Sequence, residues 1–144
     1  VGKTTVSKLL AKKLGAEYLS VDKILSDNNL DKDDDISVEN FLKANEIITG
    51  ISDGNRGPYV IDGNFYYQKQ IDDLKNRFKD GVAIFTITST VEKCIKRDAQ
   101  REKVYGEDSV RYVYMVVSKV KAGIEIDNTD LTIEETIQTI IDNL

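Results

Sequence analysis

Four short strand-like segments, separated by segments of helical periodicity, constrain this chain more than any other feature. They are EYLSVD (17–22), YVI (59–61), VAIFTIT (82–88) and GIEID (123–127). VAIFTIT is the clearest strand, a nearly continuous apolar run bounded by Gly81 and polar residues. Strands alternating with helices form a parallel sheet covered on both faces. The expected fold class is therefore α/β, as a single domain over residues 1–144.

The helices between these runs have readable ends. Val6, Leu9, Leu10 and Leu14 recur at helical spacing, and Gly15 stands where a helix stop belongs. Val38, Phe41, Leu42 and Ile48 mark another helix, after the polar stretch SDNNLDKDDD. A helix over about 65–78 is expected with Asn64 as its N-cap. Ser89-Thr90-Val91-Glu92 reads as a capping box, and Thr132 with Glu135 as a second. Val110, Val113, Tyr114, Val117 and Val120 give the stripe of a further helix. The acidic run at 31–35 lacks the glycine and spacing of a calcium loop and reads as solvated.

The chain opens VGKTTVSKLLAKKLG, the back half of a phosphate-binding loop running into a helix. The full signature is G-x-x-x-x-G-K-[ST] after a buried strand. Its first glycine would precede Val1, so a strand and a Gly-rich turn, roughly a dozen residues, are expected before this sequence. Val1, Gly2, Lys3, Thr4 and Thr5 are the candidate phosphate-binding residues. At a helix N-terminus, open backbone N–H groups and the helix dipole both favour an anion. In such a turn Lys3 reaches the outer phosphates and the Thr4 hydroxyl ligates Mg²⁺. The dinucleotide fingerprint G-x-G-x-x-G is absent from the sequence.

Composition removes several alternatives. With no histidine, Ser-His-Asp and His-ligated zinc chemistry are excluded. The net charge of −5 provides no global attraction for nucleic acid or an anionic membrane. Nucleic acid is expected only as a 5′-end substrate. No apolar run approaches the ~20 residues of a membrane span. The start lacks a signal-peptide layout, and the single cysteine, Cys94, cannot form an internal disulfide. A cytoplasmic location is the expectation.

Phosphoryl transfer requires positioning, a metal, positive charge and a group that orients the acceptor. In open α/β sheets, ligands bind at the carboxyl ends of strands. Asp22 is expected at the end of its strand, where it would align or deprotonate an acceptor hydroxyl; capping of the next helix is the structural alternative. Asp62 ends YVID and would hold Mg²⁺ through water, and Gly63 would let the acceptor approach the backbone. Asp-Gly-Asn at 62–64 is also good turn chemistry. Asp22, Asp62, Gly63 and Asn64 are thus the candidate acceptor-binding residues, with Tyr66 and Tyr67 as walls or packing. Lys93, Arg97 and Arg101, spaced by four, would line one helix face suited to a triphosphate. The same stripe also suits a solvated face shared with Glu92, Asp98 and Glu102. Arg111 is a further candidate.

Taken together, GKTTVSKLLAKKLG, the Asp after the second strand, VIDGNF, CIKRDAQR and IDNTDLTIEET resemble the P-loop small-molecule kinases over nearly the whole chain. The resemblance implies a three-layer fold with a five-stranded parallel sheet of order 2-3-1-4-5. It also implies ATP and Mg²⁺, an acceptor-binding helical region at about 26–58, and a lid at about 97–112 with Arg97 and Arg101. Asp127, Asn128 and Thr129 match the loop where such proteins hold adenine. SVDKIL, VIDGNF and RDAQR are similar to kinases acting on hydroxyl acceptors; the N- and C-terminal segments are similar to adenylate and cytidylate kinases. The expected activity is transfer to a small-molecule or 5′-end hydroxyl, since only Arg56 lies between Asp22 and Asp62 to clamp an acceptor phosphate. A nucleoside monophosphate acceptor is the alternative. A nucleotide-dependent switch, with slow hydrolysis that no acceptor stimulates, is the contrasting class.

Overall fold

The computed structural model describes residues 2–33, 35–53, 57–78 and 81–144. In chain order their elements are α1 (Lys3–Leu14), β1 (Glu17–Ser20), α2 (Val21–Asp27), α3 (Val38–Asp53), β2 (Tyr59–Asp62) and α4 (Gln68–Arg77). These are followed by β3 (Phe85–Thr88), α5 (Val91–Ala99), α6 (Glu107–Val117), β4 (Ile124–Asp127) and α7 (Ile133–Asp142). The α/β alternation expected from the sequence is present. The chain divides into two compact units: Ser7–Val82, and Ala83–Leu144 together with the start of α1 through Val6.

In the Ser7–Val82 unit, β1 and β2 pair in parallel, in a register that sets Tyr18 opposite Val60 and Ser20 opposite Asp62. Side chains alternate across the pair. Leu19 and Val21 enter a core with Ile24, Leu25, Phe41, Ala44, Ile48 and Leu74, and Ile61 packs against it. The opposite face therefore carries Tyr18, Ser20, Val60 and Asp62. α1 buries Val6, Ser7, Leu10 and Ala11. Leu9 and Leu14, read as part of that stripe, are each 37% exposed. Gly15 ends the helix as expected, in the left-handed region at φ 62°. The Ala16 N–H then closes back onto the Ala11 carbonyl at 2.8 Å.

In the other unit, β3 and β4 are parallel partners, Thr88 opposite Asp127. The ladder continues beyond the strands through the Asn128 N–H to the Thr88 carbonyl, 2.9 Å. Ile126, Val120, Ile137 and Ile140 are its buried apolar residues, besides Val6 of α1. Gly123, at φ 63°, lies so close to Ile84 that a Cβ would stand 2.0 Å from the Ile84 carbonyl oxygen. Thr132 and Glu135 form the expected capping box of α7.

The four strands expected in this sequence are present, though not as one sheet. Among the described residues there are two separate two-stranded pairs, β1–β2 and β3–β4. Each pair taken alone is a neighbour pair in an order 2-3-1-4-5. Several boundaries also move. α4 starts at Gln68 with Tyr67 at the cap and no side-chain cap bond, so Asn64 is not its N-cap. α5 is capped by Thr90, whose hydroxyl accepts from the Lys93 N–H, and Ser89 lies one residue outside. Val120 falls beyond the end of α6. Asp31, Lys32, Asp33 and Asp35 are exposed, as a solvated run should be, while Asp34 lies outside the described residues.

Candidate functional site

The candidate residues fall in both units, and each half has its own geometry. The first half begins at α1. Val1 lies outside the described residues; Gly2, at φ 72°, leads directly into the helix at Lys3. The Gly2 carbonyl accepts the Val6 N–H at 3.1 Å, so the N–H groups of Lys3, Thr4 and Thr5 precede the first intrahelical bond. Thr4 and Thr5 are exposed, and no acidic residue stands in the first turn of α1. An anion is the natural partner of such an end.

The remaining residues of this unit gather at the carboxyl ends of β3 and β4. Asn128 is 4% exposed, and its Oδ1 lies 3.5 Å from Nη1 of Arg97 on α5. Ser89 and Thr129 place their hydroxyls 3.4 Å apart. Asp127 is committed to the local turn: its Oδ1 accepts the Thr129 N–H at 2.9 Å and the Thr129 hydroxyl at 2.5 Å. These two bonds hold the Asp127 carboxyl below the usual carboxylate range. The loop is thereby fixed, with Arg97 beside it.

Arg101 is placed differently from the expected stripe. α5 ends at Ala99 with Gln100 as C-cap, so Arg101 lies in the following turn and is exposed. Lys93 and Arg97 share a helix face; Arg101 does not continue it. Asp98 overturns its solvated reading. It is 4% exposed and accepts the backbone N–H groups of Tyr105, at 3.2 Å, and Gly106, at 2.9 Å. Arg111 is paired with Glu107 on the surface of α6.

The other half centres on β1 and β2. Asp22 does not close a strand. β1 stops at Ser20, whose hydroxyl caps α2 by accepting the Lys23 N–H at 3.2 Å, and Asp22 sits exposed in the first helical turn. The capping role considered for Asp22 thus belongs to Ser20. Asp62 ends β2 as expected and is 5% exposed. Its Oδ2 accepts the phenol of Tyr18 at 2.8 Å. Burial first, then the bond and charge of Asp62, push the Tyr18 hydroxyl up to about 12, and the Asp22 charge adds to the shift. Tyr18 therefore marks where both carboxylates bear on one group.

Gly63 serves packing rather than open approach. A Cβ there would stand 2.9 Å from Cβ and Cγ2 of Val21. Asn64 is half-buried in the segment between β2 and α4. Tyr66 and Tyr67 stack at a tilt on Phe41, with centroids 5.7 and 5.9 Å away. The Tyr67 hydroxyl also donates to the Ile36 carbonyl at 3.1 Å. Arg56 lies outside the described residues.

Sequence reading missed Tyr18, Ser20 and Asp98. The first two were accessible in principle: pairing the two strand ends in parallel sets residues 18, 20 and 62 on one face. Asp98 had no such signal, because its partners are backbone groups seven and eight residues away.

Among the described residues no group of three or more Asp, Glu, Cys or His could hold a metal ion. At a phosphate site, water and phosphate oxygens supply most of the Mg²⁺ shell and the protein adds one or two groups. The Thr4 hydroxyl in one unit and the Asp62 carboxylate in the other each offer an oxygen of the right type. No helix is long and apolar enough to cross a membrane, among the described residues.

No known protein family matches the sequence, and neither does any curated protein. The fold, however, is similar to that of a gluconokinase from Sinorhizobium meliloti 1021, with a TM-score of 0.72. The alignment covers 98% of this chain and 83% of that one, at 12% identity. The chain therefore shares an α/β fold with that protein.

Proposed function

We propose that this protein is an ATP-dependent small-molecule kinase that moves the γ-phosphoryl group of Mg·ATP to an acceptor hydroxyl. The observation that carries the reading is Gly2-Lys3-Thr4 at the start of an α1 free of acidic residues in its first turn, in a chain whose fold is like that of a gluconokinase. The N–H groups of that turn and the Lys3 ammonium bind the outer phosphates. Asp127, Asn128 and Thr129 form the nucleotide loop, with Arg97 beside it. Arg97 and Arg101, the latter in the turn after α5, neutralise charge on the transferred phosphoryl group.

The Thr4 hydroxyl would hold Mg²⁺, which when bound draws charge from the phosphates. Asp22 orients the acceptor hydroxyl or takes its proton; with Ser20 doing the capping, helix capping does not account for it. Asn64 borders the acceptor in this reading. Gly63 contributes by allowing the end of β2 to close on Val21.

Gluconate, the small hydroxy acid in the neighbour's name, is the first acceptor to try, followed by other polyols and by nucleoside monophosphates. The test is transfer of label from γ-labelled ATP in the full-length protein. Label on one acceptor supports the reading and identifies the substrate class. Slow phosphate release that no acceptor accelerates would replace it with a nucleotide-dependent switch.

A further inference from the structure

We propose that the seam between α3 and α4 is a binding site for buried water, formed by the side-chain amides of Asn45 and Gln70. The inference lies wholly within the Ser7–Val82 unit and is independent of the kinase reading. Asn45 on α3 and Gln70 on α4 are both 0% exposed. Asn45 commits its Nδ2 group to the Gln70 carbonyl, at 2.9 Å, and to Asp73 Oδ2, at 3.1 Å. Asn45 Oδ1, Gln70 Oε1 and Gln70 Nε2 are left with no hydrogen-bond partner in the protein. Two acceptors and one donor are thus orphaned beside a bond that already joins the same two residues.

Buried polar groups are nearly always bonded, to protein or to ordered water, because an unpaired one keeps its full desolvation cost. The buried neighbours on these helices offer no side-chain partner: Ala44 and Ile48 on α3, and Ile71 and Leu74 on α4, are apolar. The guest must therefore be small, neutral, and able to donate and accept at once. A cation fails this test, since it cannot accept from Gln70 Nε2, and the Asp73 carboxylate is already paired with Arg77 at 2.8 Å. Water meets every condition, and buried waters bind two to four such orphaned groups. It donates to Asn45 Oδ1 and accepts from Gln70 Nε2. Its second O–H serves Gln70 Oε1, directly or through a further water.

The test has two readouts in the full-length protein, in buffer without nucleotide or acceptor. In the ¹⁵N-labelled wild type, the Gln70 side-chain amide protons should show cross peaks to the water resonance. Their NOE and ROE signs should be opposite, the mark of a long-lived water as distinct from chemical exchange. The second readout is the unfolding equilibrium of Gln70→Met, which keeps the side-chain length and removes both amide atoms. With water in the seam, the change strips Asn45 Oδ1 of its bridge, and the folding constant should fall about fivefold or more. In a dry seam it exchanges two orphaned atoms for an apolar group, and the constant should rise.

A rise in the folding constant of Gln70→Met, or wild-type Gln70 amides without long-lived water cross peaks, overturns the proposal. Gln70 amides that show no water but shift when gluconate is added would overturn it too, and would give the seam to an acceptor. Phosphoryl transfer is untouched by the water result, so the kinase reading stands or falls separately.

Discussion

The buried carboxylate of Asp98 accepts the backbone N–H of Gly106 at 2.9 Å and so closes the turn between α5 and α6. The Tyr105 N–H joins it at 3.2 Å. One side chain thus fixes the start of α6, whose Gly106 cap is in a left-handed conformation at φ 94° and offers no side-chain bond. α6 has no fully buried residue of its own, so this anchor carries much of its placement.

Asp98→Ala should therefore destabilise the protein by about 2–4 kcal/mol, because two backbone donors lose a charged acceptor. Hydrogen exchange at Tyr105 and Gly106 should accelerate more than exchange in β1 and β2. Unaltered protection at those two amides would contradict the anchor.

Gly63→Ala distinguishes packing from substrate approach. The added methyl meets Val21 at 2.9 Å, so a loss of about 1–3 kcal/mol in stability is expected. Val21→Ala in the same chain should recover part of it, since the two residues contact each other. A variant of wild-type stability with impaired acceptor binding would return Gly63 to the acceptor site.

Tyr18 should titrate late. Its hydroxyl is raised to about 12 from 10.0, first by burial and then by Asp62. The folded state holds this proton more tightly than the unfolded chain. The associated stability is fully present below pH about 10 and is lost as pH rises from about 10 to about 12. Tyrosinate absorbance should show one late phenol in the wild type, and Asp62→Ala should shift it towards the ordinary value.

Much of this molecule was legible because its signals are local. The Gly2-Lys3-Thr4 start, the Gly15 stop and the Thr132–Glu135 capping box depend on residues within one or two turns, and each stands where expected. Errors arose where adjacent residues compete for one role. Ser89 and Thr90 are both good caps, and the side chain that reaches the Lys93 N–H decided it. Ser20 displaced Asp22 in the same way, and the strand ended two residues early. Leu9 looked core-facing by spacing, but Ser7 and Ala11 fill the buried face of α1.

The candidate site was legible in its residue types more than in its arrangement. Asp62 at the end of β2 followed from the apolar run before it, whereas its bond to Tyr18 depends on the pairing of two strands far apart in sequence. Arg97 and Arg101 looked equivalent by spacing until the helix ended between them.

The first measurement is phosphoryl transfer from γ-labelled ATP in the full-length protein, with Mg²⁺, gluconate and the wider acceptor panel, comparing wild type with Lys3→Ala. Lys3 supplies the charge that meets the outer phosphates, so the variant should lose transfer by at least about a hundredfold, roughly 2.7 kcal/mol of transition-state stabilisation, with its fold intact. Transfer to one acceptor that disappears with Lys3 is the expected result. Equal transfer in both proteins, or none to any acceptor in the wild type, would contradict a kinase built on the Gly2-Lys3-Thr4 turn.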